Sequence, residues 1–179
     1  MKNIEIKKVN APLTKDAIKD LHAYDKVLIS GVIYTARDEA HEKVIEMLEK
    51  QEKIPIDLKN QTIYYAGPAP ARPGEVIGSC GPTTSGRMDK YTPDFINVIG
   101  INGMIGKGKR NEKVRSAIKE GGAVYFVIVG GLGAKVASCI KKSEVVLFPE
   151  LDTEAIRRLE VKDMPAIVAI DSYGKDIYE

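Results

Sequence analysis

Apolar positions along this chain switch between two spacings. "IEIKK" near the N-terminus alternates isoleucine with charge, as a half-buried strand does. "TKDAIKDL" opens on Thr14, a good N-cap for a short helix. "KVLISGVIYTA", 26–36, is an apolar, β-branched run and predicts a buried strand. "RDEAHEKVIEMLEKQEK" then sets Ala40, Val44, Ile45, Met47 and Leu48 at helical spacing, with charges on the other face. "QTIYYAGP" predicts another strand, and "GPAPARPGEVIGSCGP" a long loop. Thr92 as N-cap with Pro93 at N1 predicts a helix over "PDFINVIG" that ends near Gly100.

The second half repeats the alternation. "INGMIGKGKR" reads as a glycine-rich loop, and 111–120 as a helix stopped by Gly121 and Gly122. "AVYFVIVGG" is the strongest buried strand, 132–142 a helix, and "EVVLFP" a strand. "DTEAIRRLEV" is expected as a helix capped by Asp152 and "PAIVAIDS" as a strand, after which "SYGK" turns towards a final edge strand. Strands alternating with helices imply a layered α/β fold, and no linker-like stretch divides residues 1–179, so one domain is expected.

Composition narrows the function. Hydrophobic residues at 44% and charged residues at 29% suit a packed core rather than disorder. The net charge of +2, from 27 basic and 25 acidic residues, gives no general attraction to nucleic acid or membrane. Any anion preference must therefore come from a local cluster. Cys80 and Cys139 are too few for a disulfide framework, and "MKNIEIKKVN" lacks a secretory apolar core. A reducing cytoplasm is the expected setting.

Several familiar motifs fail. A phosphate loop ending at Lys107 would need glycine at position 101, which is Ile, and Ser or Thr at 108, which is Gly. "GGLGAK" sits between a strand and a helix, but Val136 stands where the third glycine of a dinucleotide fingerprint belongs. "KGKRNEKVR" lacks interleaved aromatics and reads as the solvated start of a helix. The two cysteines with His22 and His41 form no metal-ligand spacing, so no metal is expected on this chain.

"CGPTTSGRMD" is different. Gly81-Pro82 sets a turn, and Thr83, Thr84 and Ser85 can present hydroxyls and free N–H groups at a helix start, where an anion is favoured. Arg87 adds a planar fork suited to a carboxylate. Lys107 lies in a second glycine-rich stretch, and Arg37 follows a strand directly. These residues make either an anion pocket or an ordinary helix cap flanked by surface cations.

"SGVIYTARDEAH", "GPTTSGRMD" and "GKGKRNE", in that order, resemble the β subunit of class I fumarate hydratase, which is also the C-terminal domain of its single-chain members. The β subunit of L(+)-tartrate dehydratase is a close relative. The resemblance implies a swivelling β/β/α domain and one half of a hydro-lyase that adds water reversibly to fumarate, giving (S)-malate. It implies a [4Fe-4S] cluster held by three cysteines of a partner α subunit, and an α2β2 assembly is expected. Carried over by motif, Arg37, Thr83, Thr84, Ser85, Gly86, Arg87 and Lys107 would bind the dicarboxylate. Thr83 would be the proton-transfer residue, working with an acid from the α subunit. Two rivals stay open: tartrate as substrate, and a non-catalytic binding or assembly subunit whose cations serve an interface.

Overall fold

The computed structural model describes residues 5–129 and 131–179. The element order is β1 (Ile6–Ala11), α1 (Lys15–Lys19), β2 (Lys26–Thr35), α2 (Asp38–Glu49), β3 (Thr62–Tyr64), a 3-10 turn (Ser85–Met88), α3 (Thr92–Asp94) running into a π-helical turn (Phe95–Ile99), β4 (Gly103–Gly106), α4 (Glu112–Gly121), β5 (Val124–Val127), α5 (Gly133–Cys139), β6 (Ile140–Leu147), a 3-10 segment (Pro149–Glu154) and β7 (Ile156–Ile170). Local chemistry accounts for several boundaries. Thr14 accepts from the Ala17 N–H and Asn111 from the Val114 N–H, while Gly100 and Gly122 end their helices in the left-handed region.

The sheet closes on itself. β2, β3, β4 and β5 run parallel, β7 pairs antiparallel with β5, and β7 returns antiparallel along β2. β1 flanks the first half of β2 on the edge that β3 takes further on, and β6 flanks β7. Gly31, at φ +114°, sits at the irregularity where β1 leaves off; a Cβ there would overlap the Ala11 carbonyl. The architecture is a mixed α/β fold around a barrel-like sheet.

Strand alternation feeds two cores. On β5, Val124 and Phe126 point into the ring, with Ile29, Ile33, Tyr64, Ile105 and Leu159. Tyr125 and Val127 point outwards, where Ala40 and Val44 of α2, Phe95, and Val114 and Ile118 of α4 cover them. Each large side chain buried this way contributes roughly 1.5–3 kcal/mol. Among the described residues, no helix is long and apolar enough to cross a membrane.

Five expectations are corrected. The stretch 152–161 is not a helix. It is largely the first part of β7, a 15-residue strand paired on both edges, and Asp152 takes φ 55° in the preceding segment instead of capping a helix. Its Arg and Glu residues have high helix propensity, but pairing with β2 and β6 outweighs it. "INGMIGKGKR" is not all loop, since 103–106 forms β4 in the middle of the parallel strands. Its glycines hid it: a Cβ at Gly103 would crowd the Thr62 hydroxyl at 2.7 Å. Thr92 does not cap from outside, because Tyr91 holds the N-cap position and the Thr92 hydroxyl donates to the Met88 carbonyl at 2.9 Å. The helix expected over 132–142 stops at Cys139, where β6 begins. The final edge strand reduces, among the described residues, to an isolated bridge between Ile170 and Asp176.

Candidate active site

β2, β3 and β4 are parallel neighbours, so the chain leaves all three at one end, the usual place for ligands on open α/β sheets. Arg37 follows β2, Tyr65 follows β3 and Lys107 follows β4. The Thr83–Arg87 loop lies across two of these ends. The Thr83 N–H donates to the Tyr65 carbonyl at 2.7 Å, and the Ser85 N–H to the Lys107 carbonyl at 2.9 Å. Thr84 and Lys107 thereby pair as an isolated parallel bridge.

Ser85 fastens this loop from beneath. It is fully buried, and its Oγ accepts from the Lys107 N–H at 3.0 Å and from the Tyr125 hydroxyl at 2.8 Å. Tyr125 is also 2.9 Å from the Gly108 carbonyl. Burial pushes the Tyr125 phenol well above its ordinary range, so it stays a donor. Gly106 is required here, since a Cβ would overlap the Ser85 hydroxyl.

Deeper, the last residue of "GPTTSGRMD" meets "GKGKRNE". Arg110 Nε donates to Asp89 Oδ1 at 2.6 Å, and the Asn111 N–H donates to Asp89 Oδ2 at 2.7 Å. Arg110 Nη2 donates to the Thr92 hydroxyl at 2.7 Å and to the Tyr65 hydroxyl at 3.3 Å. The guanidinium lies 5.2 Å from the Tyr65 ring centroid and 4.9 Å from that of Tyr125. A buried charge is tolerable only when paired and bonded in this way.

The outer cations are arranged more openly. Arg87 Nε donates to Asp38 Oδ1 at 3.0 Å, and Asp38 Oδ2 is 3.9 Å from Arg37 Nη2. Arg37 Nε is 3.5 Å from Glu154 Oε1, close enough for attraction but not aligned for a hydrogen bond; both atoms are buried without a bonding partner among the described residues. Burial raises the Glu154 carboxyl, Arg37 opposes that, and Glu39 and Asp38 add to the rise. His41 Nδ1–H donates to the Arg37 carbonyl at 2.7 Å, and its ring lies among Tyr65, Tyr91 and Phe95. Burial lowers its pKa to about 4, so the ring is neutral near pH 7. Among the described residues the Thr83 hydroxyl makes no hydrogen bond and Lys107 Nζ no ion pair.

The structure thus groups Thr83, Thr84, Gly86 and Arg87 with Lys107, and links Arg37 to Arg87 through Asp38. Ser85 lies inside the support, where its hydroxyl and N–H are already engaged. Sequence reasoning missed Asp38, Asp89, Arg110, Tyr65, Tyr125 and Glu154. Asp38, Asp89 and Arg110 stand inside the quoted motifs, where charges amid small residues could have flagged them. Glu154 carried no local signal. Gly133 of "GGLGAK" packs against the same loop's approach: the Cys80 N–H donates to the Gly133 carbonyl at 3.2 Å, and a Cβ at Gly133 would come 3.1 Å from Gly81 N.

The geometry defines an α/β barrel-like domain that presents two arginines, a lysine and free hydroxyls at the ends of parallel strands. The family model described as "Fumarase C-terminus" matches residues 1–179, and the chain belongs to that family. It is 43% identical over 172 residues to a protein of Methanocaldococcus jannaschii provisionally named L(+)-tartrate dehydratase subunit beta, covering 93% of this chain and 88% of that one. It is 41% identical over 154 residues to fumarate hydratase 2 of Leishmania major, covering 86% of this chain and 27% of that protein. It is 38% identical over 175 residues to the aerobic class I fumarate hydratase of Escherichia coli K12, covering 96% of this chain and 32% of that protein. The chain therefore spans about a third or less of these fumarate hydratases.

Proposed function

We propose that this chain is the β subunit of a hydro-lyase that interconverts fumarate and (S)-malate, supplying dicarboxylate-binding and proton-transfer groups to a site shared with an α subunit. The observation that carries the reading is the gathering of Arg37, Arg87 and Lys107 with an unengaged Thr83 hydroxyl at one sheet end, in a chain of the fumarase C-terminus family. In this reading Thr84 and Gly86, both exposed, line the turn that faces the ligand. Ser85 sets the turn's position from below.

Hydration of fumarate requires a proton at the carbon beside a carboxylate, and the reverse reaction removes it. Removal builds negative charge on that carboxylate, so cations already in place there lower the barrier. Arg87 and Lys107 are the groups for that end, and Arg37 for the other. Thr83 moves the proton. A threonine hydroxyl is a weak base unless a neighbour activates it, and the α subunit supplies that acid–base partner. The domain swivels to close over the partner's half of the site, in a cytoplasmic α2β2 assembly.

The residues of this chain do not fit a [4Fe-4S] cluster. Cys80 is buried, and burial pushes its thiol up to about 12 against the opposing pull of Arg157, so thiolate is disfavoured. Among the described residues, no group of three His, Cys, Asp or Glu could hold a metal ion. The cluster belongs to the α subunit in this proposal.

Co-purification with a cysteine-bearing α subunit, anaerobic cluster assembly and a fumarate hydration assay test the reading. A reconstituted complex that leaves fumarate and L-malate unchanged would reject it. The 43% identity to the tartrate dehydratase relative favours a second substrate reading, so L-tartrate dehydration is assayed beside L-malate. Replacing Arg37, Arg87 and Lys107 separates catalysis from a pure assembly role: turnover is lost with the complex intact in the first case, and the complex itself in the second.

A further inference from the structure

Two carboxylates touch the arginines of this site, and both approach the same edge of the guanidinium. Asp38 Oδ1 accepts from Arg87 Nε at 3.0 Å, and Glu154 Oε1 lies 3.5 Å from Arg37 Nε. Asp38 also reaches across, with Oδ2 3.9 Å from Arg37 Nη2. Among the described residues, no hydrogen bond occupies the Nη atoms of either arginine. Side-on capture of Nε leaves the Nη1–Nη2 end, which is itself a bidentate match for a carboxylate.

Asp38 is well anchored for such a task. It opens α2, where an acidic residue is favoured by the helix dipole, and buried Ala40, His41 and Val44 fix the helix register. His41 pins the Arg37 carbonyl, so the backbone between the two contacts is held from below. Arg37 and Arg87 would otherwise repel each other, and Arg87, at 53% side-chain exposure, would sample many rotamers. Ordering a long side chain before a ligand arrives removes that cost from binding.

We propose that Asp38 is a positioning residue: it holds Arg87 by the Nε edge and flanks Arg37 Nη2 while Glu154 flanks Arg37 Nε, so that the Nη end of Arg87 and Nη1 of Arg37 remain for the carboxylates of a dicarboxylate ligand. The inference rests on reading the site as one that binds dicarboxylates. It does not depend on hydration being the reaction.

The test uses Asp38→Ala and Asp38→Asn in the reconstituted complex, with succinate as an unreactive dicarboxylate probe. Asp38→Ala is expected to raise succinate Kd and fumarate KM about tenfold or more, with a smaller change in kcat. Asp38→Asn keeps an oxygen that can accept from Nε and is expected to recover part of the loss. In NMR spectra of the chain, the Arg87 Nε–H should exchange slowly in the wild type and rapidly in Asp38→Ala. If Asp38→Ala does not fold, Asp38→Asn decides, with a several-fold rise in Kd expected. Unchanged succinate affinity in a folded variant overturns the proposal, as does a fall in kcat with KM and Kd unmoved. A wild-type complex that binds succinate but hydrates no fumarate rejects the hydration reading, while weaker binding by Asp38→Ala still supports this one. Failure of the wild-type complex to bind succinate overturns it.

Discussion

Asp89–Arg110 and Asp38–Arg87 are both carboxylate–guanidinium pairs anchored on the "GPTTSGRMD" segment, and they are built in opposite ways. The inner pair has side chains 9% and 0% exposed, and both carboxylate oxygens and two of the guanidinium nitrogens make hydrogen bonds to oxygen. The outer pair is 27% and 53% exposed, touches at one edge, and leaves Asp38 Oδ2 without a bonding partner among the described residues. A satisfied, buried pair fixes geometry. A half-satisfied pair at a sheet end keeps bonding capacity for something else. On the proposed reading, the inner region is the support and the outer one meets the ligand.

Substitutions in the two regions should therefore fail differently. Thr83→Val, in the outer region, should lower kcat by roughly 10²–10⁴-fold with little change in Tm. Near-normal turnover of the reconstituted variant would remove Thr83 from the chemistry. Arg110→Met, in the inner region, should destabilise the fold by about 3–5 kcal/mol, because it leaves the Asp89 charge buried and unpaired. Urea unfolding gives that value directly, and a loss under about 1 kcal/mol would show that the pair is dispensable.

Acid should attack between the two regions, at His41. Its folded pKa of about 4 lies below the ordinary imidazole value of 6.5, so between those values the unfolded chain takes a proton that the folded chain refuses. Stability contributed by the neutral ring is complete above about pH 6.5 and declines as pH falls towards 4, by on the order of 3 kcal/mol. Arg110 works against protonation and Asp38 favours it, but burial dominates. Comparing urea midpoints of wild type and His41→Asn at pH 7 and about 4.5 isolates this share, and equal pH slopes would refute it.

Smaller effects sharpen the contrast. Arg87→Met should raise KM by roughly 10²-fold, since a carboxylate loses its bidentate partner, while Tm moves little because an exposed ion pair contributes about 0–1 kcal/mol. Unchanged KM and kcat would reject the contact. Ser85→Ala should cost about 1–2 kcal/mol by orphaning the Lys107 N–H and one bond of Tyr125. A variant as stable as wild type would show that the clasp is not needed.

Much of this was legible in the chain. "AVYFVIVGG" is apolar at nearly every position because β5 is buried on both faces, and "KVLISGVIYTA" stands out through the β-branched and apolar residues that β2 sends into the ring. Thr14, Asn111, Gly100 and Gly122 marked helix ends through local bonding and φ alone. The residues now grouped at the sheet end were picked out by type: hydroxyls, small residues and cations that a core would not need. β4 escaped because its glycines answer to Thr62 and Ser85 on other segments. The first half of β7 escaped because its residues favour a helix until two strands pair with it.

The sequence by itself determined where the backbone turns, which faces are apolar and which loops carry unusual chemistry, since each depends on interactions within a few residues. Only the tertiary structure decided that β7 closes the sheet, that Asp89 meets Arg110, and that Asp38 joins Arg37 to Arg87. Those contacts join residues far apart in the chain, and their strength depends on burial and alignment that no local pattern encodes.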